Sequence, residues 1–198
     1  MAFQRNSGRQ RPLFAFRWVI AGVALAVLVR LVAFQVYYVP SESMLPTLHV
    51  GDRVLVDKIS HGWRDLQRGD VVVFDATDVW AGPEAQSLIA KRIIGLPGDH
   101  VVCSVSGRVF VNGLLVDEPY LATPHATKPF DVVVPAGRLW LLGDNRAASV
   151  DSSDFMSLPS GGSVPVNHVV GRVLTVVWPL GHAGILGSPQ AEDSHDAA

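Results

Sequence analysis

Eight short apolar runs between residues 53 and 178, six of them carrying valine, leave this chain few folds to adopt. They are RVLVDK (Arg53–Lys58), VVVF (Val71–Phe74), SLIAKRII (Ser87–Ile94), HVVCSV (His100–Val105), RVFV (Arg108–Val111), DVVV (Asp131–Val134), RLWLL (Arg138–Leu142) and HVVGRVLTVVW (His168–Trp178). All but RLWLL are rich in β-branched residues, and all lack helical periodicity, so each reads as a strand. Gly-Asp pairs stand at Gly51–Asp52, Gly69–Asp70, Gly98–Asp99 and Gly143–Asp144, and the first three each launch a run, as turns do. Their irregular spacing argues against a solenoid. Asn112–Gly113 is a hairpin signal, because tight two-residue turns need residues that tolerate positive φ. The expected fold is mainly β: an antiparallel all-β domain over residues 39–186, sandwich- or barrel-like. The small, polar stretch 187–198 is expected to be a disordered tail.

The first forty residues follow a different rule. Leu13–Tyr38 is almost wholly apolar, and about 20 such residues are needed to span a bilayer as a helix. Trp18 and the Tyr37–Tyr38 pair flank it, where aromatic belts lie. Arg5, Arg9, Arg11, Arg17 and Arg30 precede the first acid, Glu42. With the whole chain at −2, this head of +5 leaves −7 for the remainder. The expectation is a basic cytoplasmic segment (1–12), one N-terminal transmembrane helix acting as signal anchor (13–38), and an extracytoplasmic catalytic domain beyond it. A cleaved signal peptide fits poorly, since no small-residue cleavage site follows. A soluble core helix leaves the arginines unexplained. Arg30 is open to two readings: it snorkels to the interface, or it marks the outer edge of a shorter span.

Bulk charge excludes a basic nucleic-acid binder, and no nucleic acid is expected as partner. The single cysteine, Cys103, excludes an intrachain disulfide and a thiolate metal cluster, and reads as a buried or partly buried free thiol. The seven histidines are scattered, with no HExxH or other tight ligand pair. No metal site, no phosphate loop and no cofactor is expected.

Two segments can carry chemistry. Pro40–Leu48 (PSESMLPTL) places Ser41 and Ser43 on a proline-bounded, non-helical stretch that can aim a hydroxyl and backbone N–H groups at one point. Lys91 sits in the apolar run Ile89–Ile94, where burial disfavours the ammonium and lowers its pKa. A neutral lysine can take a serine's proton, and no histidine has a clear claim to that task. Strand alternation puts Lys91 and Arg92 on opposite faces, so that one can be buried while the other meets solvent. Taken alone, each segment has a plainer reading: a Ser/Pro-rich turn, and an ordinary edge-strand lysine.

Together the segments resemble the type I signal peptidases, membrane-bound Ser/Lys proteases of the leader peptidase family S26. Four blocks carry the resemblance, in family order: Ser41–Leu48, Gly51–Lys58, Lys91–Asp99 and Gly143–Phe155. The resemblance implies Ser43 as nucleophile and Lys91 as general base. It implies that Ser41 joins the Ser43 N–H in an oxyanion hole and that Ser149 orients the lysine. Asp144, Arg146 and Asp151 match residues that hold the last block in shape. Tyr37, Val39, Pro40, Met44, Leu48, Ile89, Ala90 and Leu142, with Leu141 beside it, match the walls of shallow pockets that select small residues of the Ala-x-Ala type. The family motif usually continues DSR, whereas this chain reads Asp151–Ser152–Ser153, so an ion pair is absent or supplied elsewhere. The implied partners are signal peptides of translocated precursors, membrane lipid and a nearby secretion translocon. The implied location is the plasma membrane, N-terminus inside. Trp63 and Trp80 are candidates for contact with lipid. Two other readings are weaker: a self-cleaving repressor-like protein lacks a reason for the apolar head, and an inert peptide-binding module has no use for Ser43, Lys91 and Ser149.

Overall fold

A computed structural model describes residues 16–24, 27, 33–59, 66–80, 87–121 and 128–186. Residues 16–24, 27 and 33 are helical. Among the described residues twelve strands follow: β1 (Phe34–Tyr38), β2 (Arg53–Asp57), β3 (Val71–Asp75), β4 (Leu88–Gly95), β5 (His100–Cys103), β6 (Val109–Val111), β7 (Leu114–Leu115), β8 (Phe130–Val133), β9 (Arg138–Leu142), β10 (Val164–Pro165), β11 (Val169–Trp178) and β12 (Gly184–Ile185). All eight expected runs form strands.

Two antiparallel sheets result. The larger runs β1-β2-β11-β3-β4-β9-β10, with β12 paired to β11, and the smaller runs β7-β6-β5-β8. The long strand β11 is inserted between β2 and β3. It therefore joins the hairpin-like pair β1-β2 to the pair β3-β4.

Alternation along the strands builds the core. On β3, Val72 and Phe74 enter one cluster with Ile93, Leu139, Leu141 and Trp80. Val71 and Val73 enter another with Val54, Val56, Met44 and Leu48. A third cluster joins the small sheet to the large one through Ile94, Trp140 and Leu142. Cys103 lies in this last cluster as a buried free thiol, and desolvation raises its pKa.

Three Gly-Asp turns share one device. Asp52, Asp70 and Asp99 each accept a hydrogen bond from the backbone N–H three residues earlier, at 2.8, 2.9 and 2.7 Å. The carboxylate folds back over its own turn and is buried there. Asn112 and Gly113 both have positive φ (53° and 83°), which closes the β6-β7 hairpin as the Asn-Gly signal predicts.

The membrane expectation changes at its outer end. Phe34–Tyr38 is not the end of a helix but a strand, paired with β2 from Phe34↔Asp57 to Tyr38↔Arg53. Aromatic and β-branched side chains suit a pleated surface, and β2 offers an open edge whose backbone groups need partners. The β domain thus begins five residues earlier than its expected start at 39. Among the described residues no helix is long and apolar enough to cross a membrane. The basic segment 1–12, parts of 13–38, the tail 187–198 and Trp63 lie outside the described residues. Trp80 is not a lipid-facing residue: it is 7% exposed, donates to the Gly162 carbonyl at 2.8 Å and stacks on Phe155.

Candidate active site

Three segments distant in sequence meet at β4 of the large sheet. The first is the turn-rich loop between β1 and β2. Leu48 N–H donates to the Met44 carbonyl, and Gly51 N–H to the Val39 carbonyl, so the loop closes on its own ends. Met44 and Leu48 are buried beneath it. This anchoring leaves Ser41 and Ser43 at the top, their hydroxyl oxygens 3.3 Å apart.

The second segment is β4. Lys91 is 2% exposed, and its Nζ donates to Ser149 Oγ at 2.9 Å. Burial pulls its pKa down to about 8, against the opposing pull of Asp151, then Asp144 and Asp154. The neutral amine is therefore far more accessible near neutral pH than that of an ordinary lysine. Among the described residues Lys91 Nζ makes no hydrogen bond to Ser43 Oγ.

Arg92 departs from expectation. It does not meet solvent but is 3% exposed, because a carboxylate awaits it inside. Its guanidinium grips Asp144 with two bonds, Nε to Oδ1 at 2.8 Å and Nη2 to Oδ2 at 2.6 Å. Nη1 donates to the Gly69 carbonyl at 2.7 Å, and the Tyr120 ring lies 3.9 Å from its carbon centre. Asp144 also accepts from Thr47 Oγ1 on the serine loop. The pair thus ties β4 to the first segment.

The third segment follows β9. Asn145 N–H donates to the Ser43 carbonyl at 3.0 Å, and Asn145 Nδ2 to the Glu42 carbonyl at 3.1 Å. Gly143 makes this approach possible. A Cβ there would lie 2.2 Å from Ser149 Oγ and 2.5 Å from the Ser43 carbonyl oxygen. Its Gly-Asp pair looks like the other three in sequence, but here the glycine serves close approach and the aspartate serves Arg92. Arg146 Nε donates to the Gly143 carbonyl at 3.0 Å, and its far end pairs with Glu118. Burial works against the Arg146 charge, but Glu118 outweighs it and the pKa rises. Tyr120 donates to Glu118 at 2.9 Å, and burial raises its pKa as well.

Asp151 shows how the chain manages without the arginine of the usual DSR. It accepts from Ser153 Oγ at 2.8 Å, Ser153 N–H at 3.2 Å and Gly143 N–H at 3.2 Å. Ser153 takes the carboxylate with its hydroxyl in place of an ion pair. Ser152, wholly buried, accepts from the Leu141 N–H at 3.0 Å and pins the same turn to β9.

A shallow cavity of about 50 Å³ adjoins Ser43. Tyr37, Val39, Pro40, Met44, Ile89 and Ala90, six of the expected pocket residues, line it. Leu48 and Leu142 do not. Both are fully buried, Leu48 under the serine loop and Leu142 against Ile94 and Trp140; Leu141 packs in the first cluster instead. Sequence reasoning missed Leu88, Val54 and Val73, which complete the wall. It also missed Thr47, Glu118 and Tyr120, whose roles depend on partners far away in the chain.

A loop serine beside a second hydroxyl, with a buried lysine of lowered pKa held by a third, is a set of groups suited to acyl transfer. The family of "Signal peptidase, peptidase S26" matches residues 14–178. A Synechocystis sp. protein named "Probable signal peptidase I-2" is 40% identical over 168 residues, covering 85% of this chain and 74% of its own. The signal peptidase I of Leptolyngbya laminosa is 39% identical over 169 residues, covering 84% and 80%. That of Bacillus caldolyticus is 36% identical over 192 residues, covering 89% and 94%. A crystal structure of a signal peptidase I from Enterococcus faecalis V583 matches 57% of this chain and 98% of its own at 31% identity and a TM-score of 0.45, which adds nothing to the sequence match. The chain belongs to the S26 signal peptidase family, and is thus a peptidase.

Proposed function

We propose that this chain removes N-terminal signal peptides from translocated precursors, cutting after small residues with Ser43 as nucleophile and Lys91 as general base. The observation that carries the reading is the buried Lys91 amine, held by Ser149 and largely desolvated, across the Gly143 contact from the Ser43 loop. Neutral Lys91 accepts the Ser43 proton as Oγ attacks the scissile carbonyl. Ser41 Oγ–H and the Ser43 N–H stabilise the oxyanion; one such donor is worth ~10²–10³ in rate. The lysine returns the proton to the departing amine, and the signal peptide stays on Ser43 as an ester. Lys91 next deprotonates water, which attacks the ester and frees the enzyme. Asp144, Arg146 and Asp151 are positioning residues that hold the Gly143 turn. The 50 Å³ cavity, walled by apolar side chains, has room for a small side chain such as alanine's before the cut.

The arginine-rich head and the exposed apolar helical residues Phe16, Trp18, Val19, Ile20 and Val23 support a membrane anchor with its N-terminus inside and the β domain on the far face. Lipid and a nearby translocon are then its neighbours. Detergent-solubilised chain, incubated with a secretory precursor carrying Ala-x-Ala, tests the reading. Cleavage after the final alanine, rising from pH 6 to a plateau above the Lys91 midpoint of about 8, is expected. Ser43→Ala and Lys91→Ala should both abolish it. Cleavage that survives Lys91→Ala, or a profile set by a group titrating near 6.5, a histidine's usual range, sinks the dyad.

A further inference from the structure

We infer that His49, Asp52 and His182 form a binding site for an imidazole-preferring divalent ion of the zinc class, clasping the chain's C-terminal strands to the loop that carries Ser43. One ligand atom from each of the three residues lies within 4.8 Å of the others, although 130 residues separate Asp52 from His182. Asp52 is the fixed point. It is 1% exposed, and its Oδ2 accepts from the His49 N–H at 2.8 Å. Its Oδ1 lies 3.0 Å from His182 Nδ1, and its Oδ2 lies 3.9 Å from His49 Nδ1. The two imidazoles are adjacent, with ring centroids 4.6 Å apart. Their side chains are 45–46% exposed, so both rings have room to turn.

Two imidazoles and one carboxylate suit zinc and its neighbours, whereas calcium and magnesium prefer oxygen alone. Four ligand bonds of about 2.0–2.1 Å set ligand atoms about 3.3 Å apart, so His182 Nδ1 must swing slightly away from Asp52 and His49 Nδ1 must swing inward, movements that rotation of the exposed rings supplies. The ion occupies the in-plane site of each ring nitrogen that faces Asp52, and each neutral ring keeps its single proton on its other nitrogen, toward solvent; a ring protonated at both nitrogens gives up the inner proton to water. The Asp52 charge offsets one of the ion's two, and water fills the fourth position.

The placement gives the clasp its effect. The Asp52 turn is bonded to β1 through Val39 N–H to the Asp52 carbonyl and Gly51 N–H to the Val39 carbonyl, both at 2.9 Å. His182 ends the turn that carries the chain from β11 to β12, and Leu186 beyond it packs against the cluster under Met44. An ion here would hold both borders of the serine loop without touching the reacting groups.

Titration of metal-stripped, tag-free full chain in detergent with zinc chloride, read by calorimetry and thermal unfolding, tests the site. One ion per chain is expected, with Tm rising by roughly 5–10 °C at a hundredfold excess over Kd. His49→Gln and His182→Gln should each weaken binding at least about tenfold and abolish most of the Tm rise, with precursor cleavage by the metal-free variants within about twofold of metal-free wild type. That unchanged cleavage shows the variants to be folded. Cobalt in place of zinc should give visible absorption of a four-coordinate site in the wild type and lose it in both variants. Absence of one-to-one binding, or equal binding by both variants because the ion sits on other histidines, overturns the inference.

Discussion

Lys91 and Arg92 are consecutive cations on one strand, and both are buried, yet the protein treats them in opposite ways. Arg92 is given everything a buried charge requires: a two-bond carboxylate, a backbone carbonyl and an aromatic face. Lys91 receives one hydroxyl and no direct ion pair among the described residues, and the nearby acids only partly offset its desolvation. The difference separates a cation held in its charged form from an amine that gives up its proton more readily. A charge is fixed where its partner is supplied, and becomes negotiable where the partner is withheld.

Replacing each by methionine breaks the comparison most directly. Lys91→Met should lower kcat/KM for precursor cleavage by at least ~10³, while the protein stays folded. Its folded pKa of about 8 lies below the unfolded value of 10.5, so the unfolded chain holds more protons between those values. Stability from this group therefore rises with pH from about 8 to 10.5, and the cost of burying the charge is greatest below 8. Lys91→Met should accordingly be more stable than wild type at pH 7 by about 1–3 kcal/mol, with the gap closing toward pH 10.5 in denaturant titrations. Arg92→Met should do the reverse. It leaves Asp144 buried without its cation and should cost about 3–5 kcal/mol at pH 7, read as a lowered denaturation midpoint.

Ser149→Ala sharpens the contrast at the lysine itself. Ser149 Oγ accepts the lysine's hydrogen bond and so favours the ammonium. Its removal should shift the pH–rate midpoint of kcat downward and lower the plateau by about 10–100-fold. An unchanged midpoint would show that Ser149 does not act through Lys91. Ser153→Ala lies at the small end. It removes one hydroxyl from Asp151 and should cost about 0.5–1.5 kcal/mol of stability with the pH–rate midpoint unmoved.

The strands were legible in the sequence because β-branched runs and turn residues act locally. Val71–Phe74 or Arg138–Leu142 needs no distant partner to be recognised. The sheet order was not legible, since the insertion of β11 between β2 and β3 is decided by packing across a hundred residues. Phe34–Tyr38 misled because an apolar run fits a lipid-bound helix and an edge strand equally well, and the partner strand decides. At the site, Ser41, Ser43, Lys91 and Ser149 could be named from their blocks, but the burial of Arg92 could not, because Asp144 lies 52 residues away. Gly143 reads as one more turn glycine until the Ser43 and Ser149 contacts are seen. His49, Asp52 and His182 carry no spacing signal at all.

The position of β11 also sets a timetable. The ribosome makes Ser43 early, Lys91 next and Ser149 later, but the strand that joins the Ser43 pair of strands to the Lys91 pair ends only at Trp178. Until that stretch has emerged, nothing in the large sheet connects β2 to β3. A nascent or truncated chain can therefore hold Ser43, Lys91 and Ser149 and still lack the strand that joins the two halves of the large sheet. A peptidase of this topology closes its large sheet only after the last of its long strands has been made.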